Sequence, residues 1–201
     1  MFPLNLPNAL TLFRILLVPV LVVALLDATP EAQWLAAAVF ALAAFTDGLD
    51  GYLARSRRSE TNFGKVMDPI ADKLLVAAAL ISLVSLDRLA PWAAMVIIAR
   101  EFAVSGLRIA AGAQGVVIPA SRLGKVKTAT QIAAILALIA VNDTGDWWVQ
   151  ALLYLAVATT LASGADYFLN FRRRIDEARE RVAAAAAATQ QSRLDRATPP
   201  R

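Results

Sequence analysis

The sequence contains no cysteine and no histidine among its 201 residues. The absence of cysteine excludes a disulfide framework and leaves the redox compartment undetermined. Without thiolate or imidazole ligands, any metal site must use oxygen donors, which favours Mg²⁺, Mn²⁺ or Ca²⁺ over zinc. Any catalytic mechanism must also work without a cysteine or histidine nucleophile.

Charged residues are scarce as well, at 18% of the chain, whereas hydrophobic residues make up 58%. A typical soluble domain is about 45–50% apolar, so the excess indicates a membrane protein. The length suits one compact domain. The formal net charge is only +4, and we expect no nucleic acid among the partners.

Six apolar stretches are each near the ~20 residues that a helix needs to cross the hydrocarbon core. They lie at about 8–26, 31–53, 65–86, 91–111, 124–142 and 147–170. The sequence therefore predicts an all-α integral membrane protein with six transmembrane helices, in a domain over residues 1–174. The tail over residues 175–201 is predicted to be cytoplasmic, as either a frayed helix or a disordered end.

Basic residues concentrate in alternate connections between these stretches. One group consists of Arg55, Arg57, Arg58 and Lys65, a second of Arg108, Arg122, Lys125 and Lys127, and a third of Arg172, Arg173 and Arg174. The opposite connections carry Arg88 or no basic residue. By the positive-inside rule both termini and the basic connections are cytoplasmic, and we expect the protein in the inner (plasma) membrane.

Four aspartates fall in the stretch "DGLDGYLARSRRSETNFGKVMDPIAD", residues 47 to 72. Asp47 and Asp50 are spaced i, i+3, and Asp68 and Asp72 are spaced i, i+4, so each pair shares one helical face. The short connection makes the two helices antiparallel neighbours, which brings four carboxylates together near the cytoplasmic edge. Acids are costly in a membrane and repel one another. Two divalent cations would cancel the four negative charges.

Glycine and arginine accompany these acids. Gly48 and Gly51 would let a ligand approach the backbone, and the guanidinium of Arg55 suits phosphate oxygens. Carboxylates for metal, glycine for access and arginine for phosphate together predict a diphosphate site. A two-metal carboxylate site commonly stabilises both the attacking and the leaving oxygens in phosphoryl transfer.

The pattern D-x-x-D-G-x-x-A-R-x8-G-x-x-x-D-x-x-x-D in residues 47 to 72 resembles the signature of the CDP-alcohol phosphatidyltransferases. Every fixed position is present, and the six-segment layout extends the resemblance to about residue 171. The resemblance implies that Asp47, Asp50 and Asp68 hold one divalent ion, Mg²⁺ or Mn²⁺. It implies that Asp47, Asp68 and Asp72 hold the second. Asp72 is also implied to be the base that takes a proton from the incoming alcohol.

The resemblance further implies contacts to the CDP moiety from residues in two places. These residues are Gly51, Arg55 and Thr61 in the signature, and Asn8, Thr11 and Arg14 in the N-terminal "PNALTLFR". Thr11 and Arg14 also have a structural explanation, as a helix cap and as a side chain that snorkels to the interface.

The stretches "IIAREFAVSGLR" and "SRLGKVKTATQ", residues 97–108 and 121–131, resemble the branch of the family that uses glycerol 3-phosphate. They concentrate four cationic side chains that are candidates for binding the acceptor phosphate: Arg100, Arg108, Lys125 and Lys127. The alternative is that these residues only obey the positive-inside rule. Because Lys125 and Lys127 are spaced i, i+2, we expect one of the two to point away from a shared pocket.

The resemblance therefore implies transfer of a phosphatidyl group from CDP-diacylglycerol to the 1-hydroxyl of sn-glycerol 3-phosphate, with release of CMP. Direct attack is the simpler route, and a carboxylate intermediate is the alternative. Relatives of this kind suggest a homodimer. The nearer alternatives in function are the same chemistry on inositol phosphate, or on phosphatidylglycerol to form cardiolipin. More distant ones are an intramembrane prenyltransferase and a cation-coupled transporter.

Overall fold

The structure is a computed structural model, and it describes the backbone of residues 6–27, 29–57, 62–113 and 121–197. Side chains are described over narrower ranges: 9–27, 29–46, 70–71, 73–113, 121–177 and 180. All structural statements below concern these residues.

The described backbone forms six helices and no strand. They are α1 (Leu6–Leu26), α2 (Pro30–Arg57), α3 (Asn62–Ser85), α4 (Pro91–Ala113), α5 (Arg122–Ala140) and α6 (Trp147–Ala197). Each coincides with one predicted apolar stretch, which confirms the all-α class. The last helix continues far beyond the predicted end near residue 170. The division into a domain over 1–174 and a separate tail stays a prediction.

The helices pack as two groups that share one core. α1 lies against α2 and α3, α6 lies against α4 and α5, and the contacts of α2 with α5 and of α3 with α4 join the groups. Phe40 and Leu80 are fully buried in the central cluster. Ala36, Ala79 and Ala156 are fully buried between helices as well. Small side chains at such positions let helix backbones approach closely, as in membrane bundles.

Large apolar side chains point outward on all six helices, as expected of a bundle surrounded by lipid. Examples in chain order are Leu16, Leu42, Ile81, Met95, Val126 and Leu155. Within the described residues, three stretches are long and apolar enough to cross a membrane: Ala9–Leu26, Arg122–Ala140 and Trp147–Glu177. The apolar described part of α3 is shorter, Lys73–Ser85, and α4 is interrupted by charged residues. The count of six membrane crossings stays a prediction.

The end of α3 is closed by a left-handed residue. Asp87 has φ of 55°, its N–H donates to the Val84 carbonyl at 3.1 Å, and the Arg88 N–H donates to the Leu83 carbonyl at 2.9 Å. This pair of bonds is a Schellman motif, with aspartate where glycine is commonest. The Arg88 guanidinium donates to the Val141 carbonyl at the end of α5, and burial lowers the pKa of Arg88. Arg88 therefore ties the α3–α4 connection to α5.

Candidate active site

A cavity of about 650 Å³ opens between α3, α4, α5 and α6. Its wall comes from Lys73 of α3, from α4 between residues 100 and 108, from residues 121 to 132 at the start of α5, and from Ser163 and Tyr167 of α6. Consecutive antiparallel helices bring these parts to the same end of the bundle. The volume falls within the ~300–1,000 Å³ typical of small-molecule sites.

The cavity is strongly cationic. Its described wall carries five basic side chains and one acid, a net formal charge of +4. The basic residues are Lys73, Arg100, Arg108, Lys125 and Lys127, and the acid is Glu101. All four residues predicted to bind an acceptor phosphate therefore lie on one wall. Lys73 is an addition that the sequence did not single out.

The expectation that either Lys125 or Lys127 points away from the pocket is wrong, because both line it. Because lysine stems are long and flexible, the i, i+2 spacing of the Cα atoms does not by itself decide which space the ammonium groups reach. Their environments differ, since Lys125 is exposed and Lys127 is buried. Lys125 is the lysine of this pair more accessible to a ligand.

A chain of polar contacts joins three helices at the cavity wall. On α5, Lys127 forms an ion pair with Glu101 of α4. The neighbouring Arg100 has its Nη1 3.5 Å from the same carboxylate, and its Nη2 donates to the Ser163 hydroxyl of α6 at 2.7 Å. Glu101 therefore neutralises part of the charge of Arg100 and Lys127, which explains why an acid interrupts this apolar helix.

Residues of α6 complete the wall. A Cβ added to Gly164 would lie 3.3 Å from Cγ of Arg100, so the arginine stem runs directly over this glycine. The Arg108 guanidinium lies 5.7 Å from the centroid of the Tyr167 ring, within cation–π range. Sequence reasoning missed Ser163, Gly164 and Tyr167. Small polar residues and a tyrosine in an apolar helix carry no signal of the partner they meet.

The predicted metal and diphosphate residues lie on α2 and α3, and α3 also contributes Lys73 to the cavity wall. Asp47, Asp50, Gly51 and Arg55 belong to α2, and Asp68 and Asp72 belong to α3. Their side chains, that of Asn8 in α1, and the whole of Thr61 lie outside the described residues. Among the described side chains, no group of three or more acids could hold a metal ion. The roles of these residues stay predictions.

A second, smaller cavity of about 40 Å³ relates those helices to the cationic wall. It is lined by Ala44 and Lys73 together with Glu101 and Lys127. Ala44 lies less than one turn before the first aspartate pair, and Lys73 directly follows the second. Ala44 of α2 and Lys73 of α3 therefore share this small cavity with two residues of the cationic wall. Four carboxylates fit a hard divalent cation as a donor set.

Thr11 and Arg14 lie one turn apart on α1 and are both buried, at 1% and 0% exposure. Complete burial contradicts the alternative that Arg14 snorkels to the membrane interface. A buried arginine in a membrane protein marks a functional or paired position. Because α1 packs against α2 and α3, it brings this cation among the helices that carry the aspartates.

Comparison with known proteins gives consistent matches. Residues 4–162 match the family model described as CDP-alcohol phosphatidyltransferase. A Bacillus subtilis (strain 168) protein named CDP-diacylglycerol–glycerol-3-phosphate 3-phosphatidyltransferase is 43% identical over 180 residues, covering 82% of this chain and 93% of that protein. A Rickettsia felis protein of the same name is 40% identical over 170 residues, covering 82% and 93%. A Mycobacterium tuberculosis (strain H37Rv) protein named "Probable phosphatidylglycerophosphate synthase" is 43% identical over 168 residues, covering 81% and 79%.

Proposed function

This chain belongs to the CDP-alcohol phosphatidyltransferase family, and from that premise we propose that it transfers a phosphatidyl group from CDP-diacylglycerol to sn-glycerol 3-phosphate. The products are phosphatidylglycerophosphate and CMP. The names of relatives about 40% identical over most of the chain support this acceptor. The family is embedded in membranes, in agreement with the outward-facing apolar side chains of the bundle.

The observation that carries the choice of acceptor is the cationic cavity. Glycerol 3-phosphate carries a charge of about −1.5 to −2 near pH 7, like other phosphate monoesters. Five basic side chains facing one space suit such an anion. An uncharged alcohol or a zwitterion such as serine would need fewer of them. The positive-inside rule alone would require basic residues near this end, but not on the wall of one cavity.

The reaction that we propose is a direct displacement at phosphorus. The 1-hydroxyl oxygen of the acceptor forms a bond to the phosphorus of the phosphatidyl group, the bond to the bridging diphosphate oxygen breaks, and CMP leaves. Asp72 takes the proton of the hydroxyl as the general base. Arg14 and Arg55 bind the cytidylyl side, and Arg100, Arg108, Lys125 and Lys127 orient the acceptor phosphate.

The family uses divalent cations, and the four aspartates are the residues that would hold them in this chain. Bound there, two Mg²⁺ or Mn²⁺ ions would supply charge stabilisation to the diphosphate and its leaving group. We further propose that the protein is a homodimer in the inner (plasma) membrane, with both termini and the active site on the cytoplasmic side. The distribution of basic residues supports this orientation.

Two rival acceptors stay within the same family, namely inositol phosphate and phosphatidylglycerol. The deciding experiment measures CMP release by the purified protein in detergent, at fixed metal, with each alcohol offered in turn. We expect turnover with glycerol 3-phosphate. Turnover with inositol phosphate or phosphatidylglycerol and none with glycerol 3-phosphate would overturn the acceptor and leave the family assignment intact.

A variant pair tests the cavity as the acceptor site. Arg108→Ala removes a cation from the wall, and we expect the KM for glycerol 3-phosphate to rise about tenfold or more, because hydrogen bonds to charged groups are strong. The KM for CDP-diacylglycerol should stay nearly unchanged. Arg122→Ala is the control, since Arg122 is exposed at the start of α5 and does not line the cavity. Equal increases in both KM values would indicate that Arg108 binds the nucleotide side or has a structural role.

A further inference from the structure

The part of α6 that borders the cavity contacts both arginines of α4. Ser163 and Tyr167 line the cavity and Gly164 lies against Arg100; we call these three residues the α6 face. Ser163 and Tyr167 are spaced i, i+4 and so lie one turn apart, while Arg100 and Arg108 are spaced i, i+8 and lie about two turns apart. None of the three residues of the α6 face carries a positive charge. These three residues therefore act on the acceptor phosphate indirectly, through Arg100 and Arg108.

Arg100 is held by the first two residues of this face. Its Nη2 donates to the Ser163 hydroxyl at 2.7 Å, which fixes the direction of the guanidinium. Its stem lies against Gly164, where a Cβ would come within 3.3 Å of Cγ. That distance is shorter than an ordinary van der Waals contact, so a Cβ at this position requires the arginine stem to shift by a few tenths of an ångström.

Arg108 is held by the third residue. Its guanidinium lies over the Tyr167 ring at 5.7 Å, and the ring is buried in a cluster with Val104, Ala111, Leu107 and Phe171. The ring is therefore a fixed platform for an otherwise exposed side chain. The Tyr167 hydroxyl is buried and has no hydrogen-bond partner among the described residues. The aromatic face, and not the hydroxyl, is the part that contacts the arginine.

Arg100 and Arg108 are both cations on the wall of one cavity, so their charges repel each other. Without restraint, the two long cationic side chains would move apart into the open cavity. Ligand binding would then have to order them, at a cost in rotamer entropy. Holding them in place in advance reduces the entropic cost of binding. It also fixes the spacing of two planar donor groups, which suits the oxygens of a phosphate monoester.

We propose that Ser163, Gly164 and Tyr167 are positioning residues that hold Arg100 and Arg108 in the orientation that binds the acceptor phosphate. This inference deepens the proposed function and rests on it. It assigns selectivity for a phosphorylated acceptor in part to α6, a helix that supplies no cation to the cavity wall in the described part of the chain.

A pair of glycines gives the first test. Gly164→Ala places a Cβ against Arg100, whereas Gly106→Ala adds the same atom to α4, where nothing lies within 4 Å. Both changes raise helix propensity, so neither is expected to impair folding. We expect Gly164→Ala to raise the KM for glycerol 3-phosphate about threefold to tenfold, and Gly164→Val to raise it further, because small displacements of a positioning group weaken binding strongly. Gly106→Ala should leave both KM values unchanged.

Hydroxyl and ring deletions give the second test. Ser163→Ala should raise the same KM about fivefold through loss of a hydrogen bond to a charged group, and Ser163→Thr should restore it. Thr159→Ala is the control, because it removes a hydroxyl of α6 that bonds to Thr130 and does not line the cavity. Tyr167→Phe keeps the ring, so its KM for glycerol 3-phosphate should lie below that of Tyr167→Leu. Tyr167→Leu removes the ring and should raise the KM for glycerol 3-phosphate.

The outcomes separate this inference from the proposed function. The unchanged protein's turnover with glycerol 3-phosphate tests the function, and the KM pattern of the variants tests the positioning role. Unchanged acceptor KM values in Gly164→Val and Ser163→Ala, or equal increases in the KM for CDP-diacylglycerol, would overturn the positioning role while leaving the function standing. Equal damage from Tyr167→Phe and Tyr167→Leu would overturn the role of the ring. If the unchanged protein uses another phosphorylated alcohol, the same comparison applies to that alcohol; turnover only with an unphosphorylated alcohol overturns both proposals.

Discussion

The ion pair between Glu101 and Lys127 should contribute far more to stability than an ion pair on the surface of the same protein. The two side chains are 14% and 7% exposed, so neither charge is well solvated. Glu101→Gln would leave Lys127 buried without its carboxylate partner. Removing one partner of a buried pair typically costs about 3–5 kcal/mol. The glutamine oxygen still accepts a hydrogen bond, so we expect a loss of about 2–4 kcal/mol.

The control is a pair that differs mainly in burial. Arg173 and Glu177 lie on α6 with a 3.0 Å contact, and their side chains are 80% and 46% exposed. Exposed pairs contribute about 0–1 kcal/mol. Glu177→Gln makes the same substitution as Glu101→Gln, but at an exposed ion pair. It should therefore change the free energy of unfolding very little.

The measurement is thermal unfolding of the purified protein in detergent, followed by tryptophan fluorescence. For a chain of this size, each kcal/mol shifts the midpoint by about 2–4 °C. Glu101→Gln should then lower Tm by roughly 5–15 °C, and Glu177→Gln by less than about 4 °C. The double variant Glu101→Gln with Lys127→Met also removes the lysine that Glu101→Gln leaves without its carboxylate partner, and part of the loss should be recovered. Equal small shifts for Glu101→Gln and Glu177→Gln would refute the reasoning.

Three further predictions concern the metal site, the base and a helix end. Removal of divalent cations with EDTA should abolish CMP release, and Mg²⁺ or Mn²⁺ should restore it; full turnover by metal-free protein would contradict the carboxylate site. Asp68→Asn should lose metal binding and activity together, whereas Asp72→Asn should lose about 10²–10⁴-fold in rate and still bind CDP-diacylglycerol. Near-normal turnover of Asp72→Asn would show that another group accepts the proton of the acceptor hydroxyl. Asp87→Gly should raise Tm by roughly 1–4 °C, because glycine adopts the left-handed conformation without a Cβ penalty; a lower Tm would show that the Asp87 side chain stabilises the turn.

The helices were predictable because each rests on a local property of the chain. An apolar run of about 20 residues must satisfy its backbone polar groups internally, and helix formation does so. The end of α6 is different. Beyond residue 174 the chain has alanine, arginine and glutamate, which favour a helix without an apolar face, so the hydropathy pattern contains no signal of where that helix stops.

The cationic side of the candidate site was predictable for the same reason. Arg100, Arg108 and Lys125 stand out as charges in or beside apolar segments. Because a charge within a membrane is costly, such residues usually have a binding partner or a functional role. The contact of Lys127 with Glu101 was not predictable, because it joins residues 26 positions apart on different helices. Ser163 and Gly164 are ordinary residues in a membrane helix until the packing of α4 on α6 sets Arg100 against them.

The complete burial of Arg14 affects how the protein enters the membrane. The ribosome makes α1 before α2 and α3, so this helix meets the bilayer without the neighbours that later surround it. An arginine near the centre of an isolated helix raises the free energy of insertion by about 2.5–3.5 kcal/mol on translocon scales. The apolar residues of α1 offset that cost, since the mean hydropathy over Ala9–Leu26 is 2.6 with Arg14 included. The guanidinium leaves the lipid only when the later helices dock around it. Insertion of α1 and assembly of the bundle are therefore separate steps, and shielding one charge from lipid helps to drive the second.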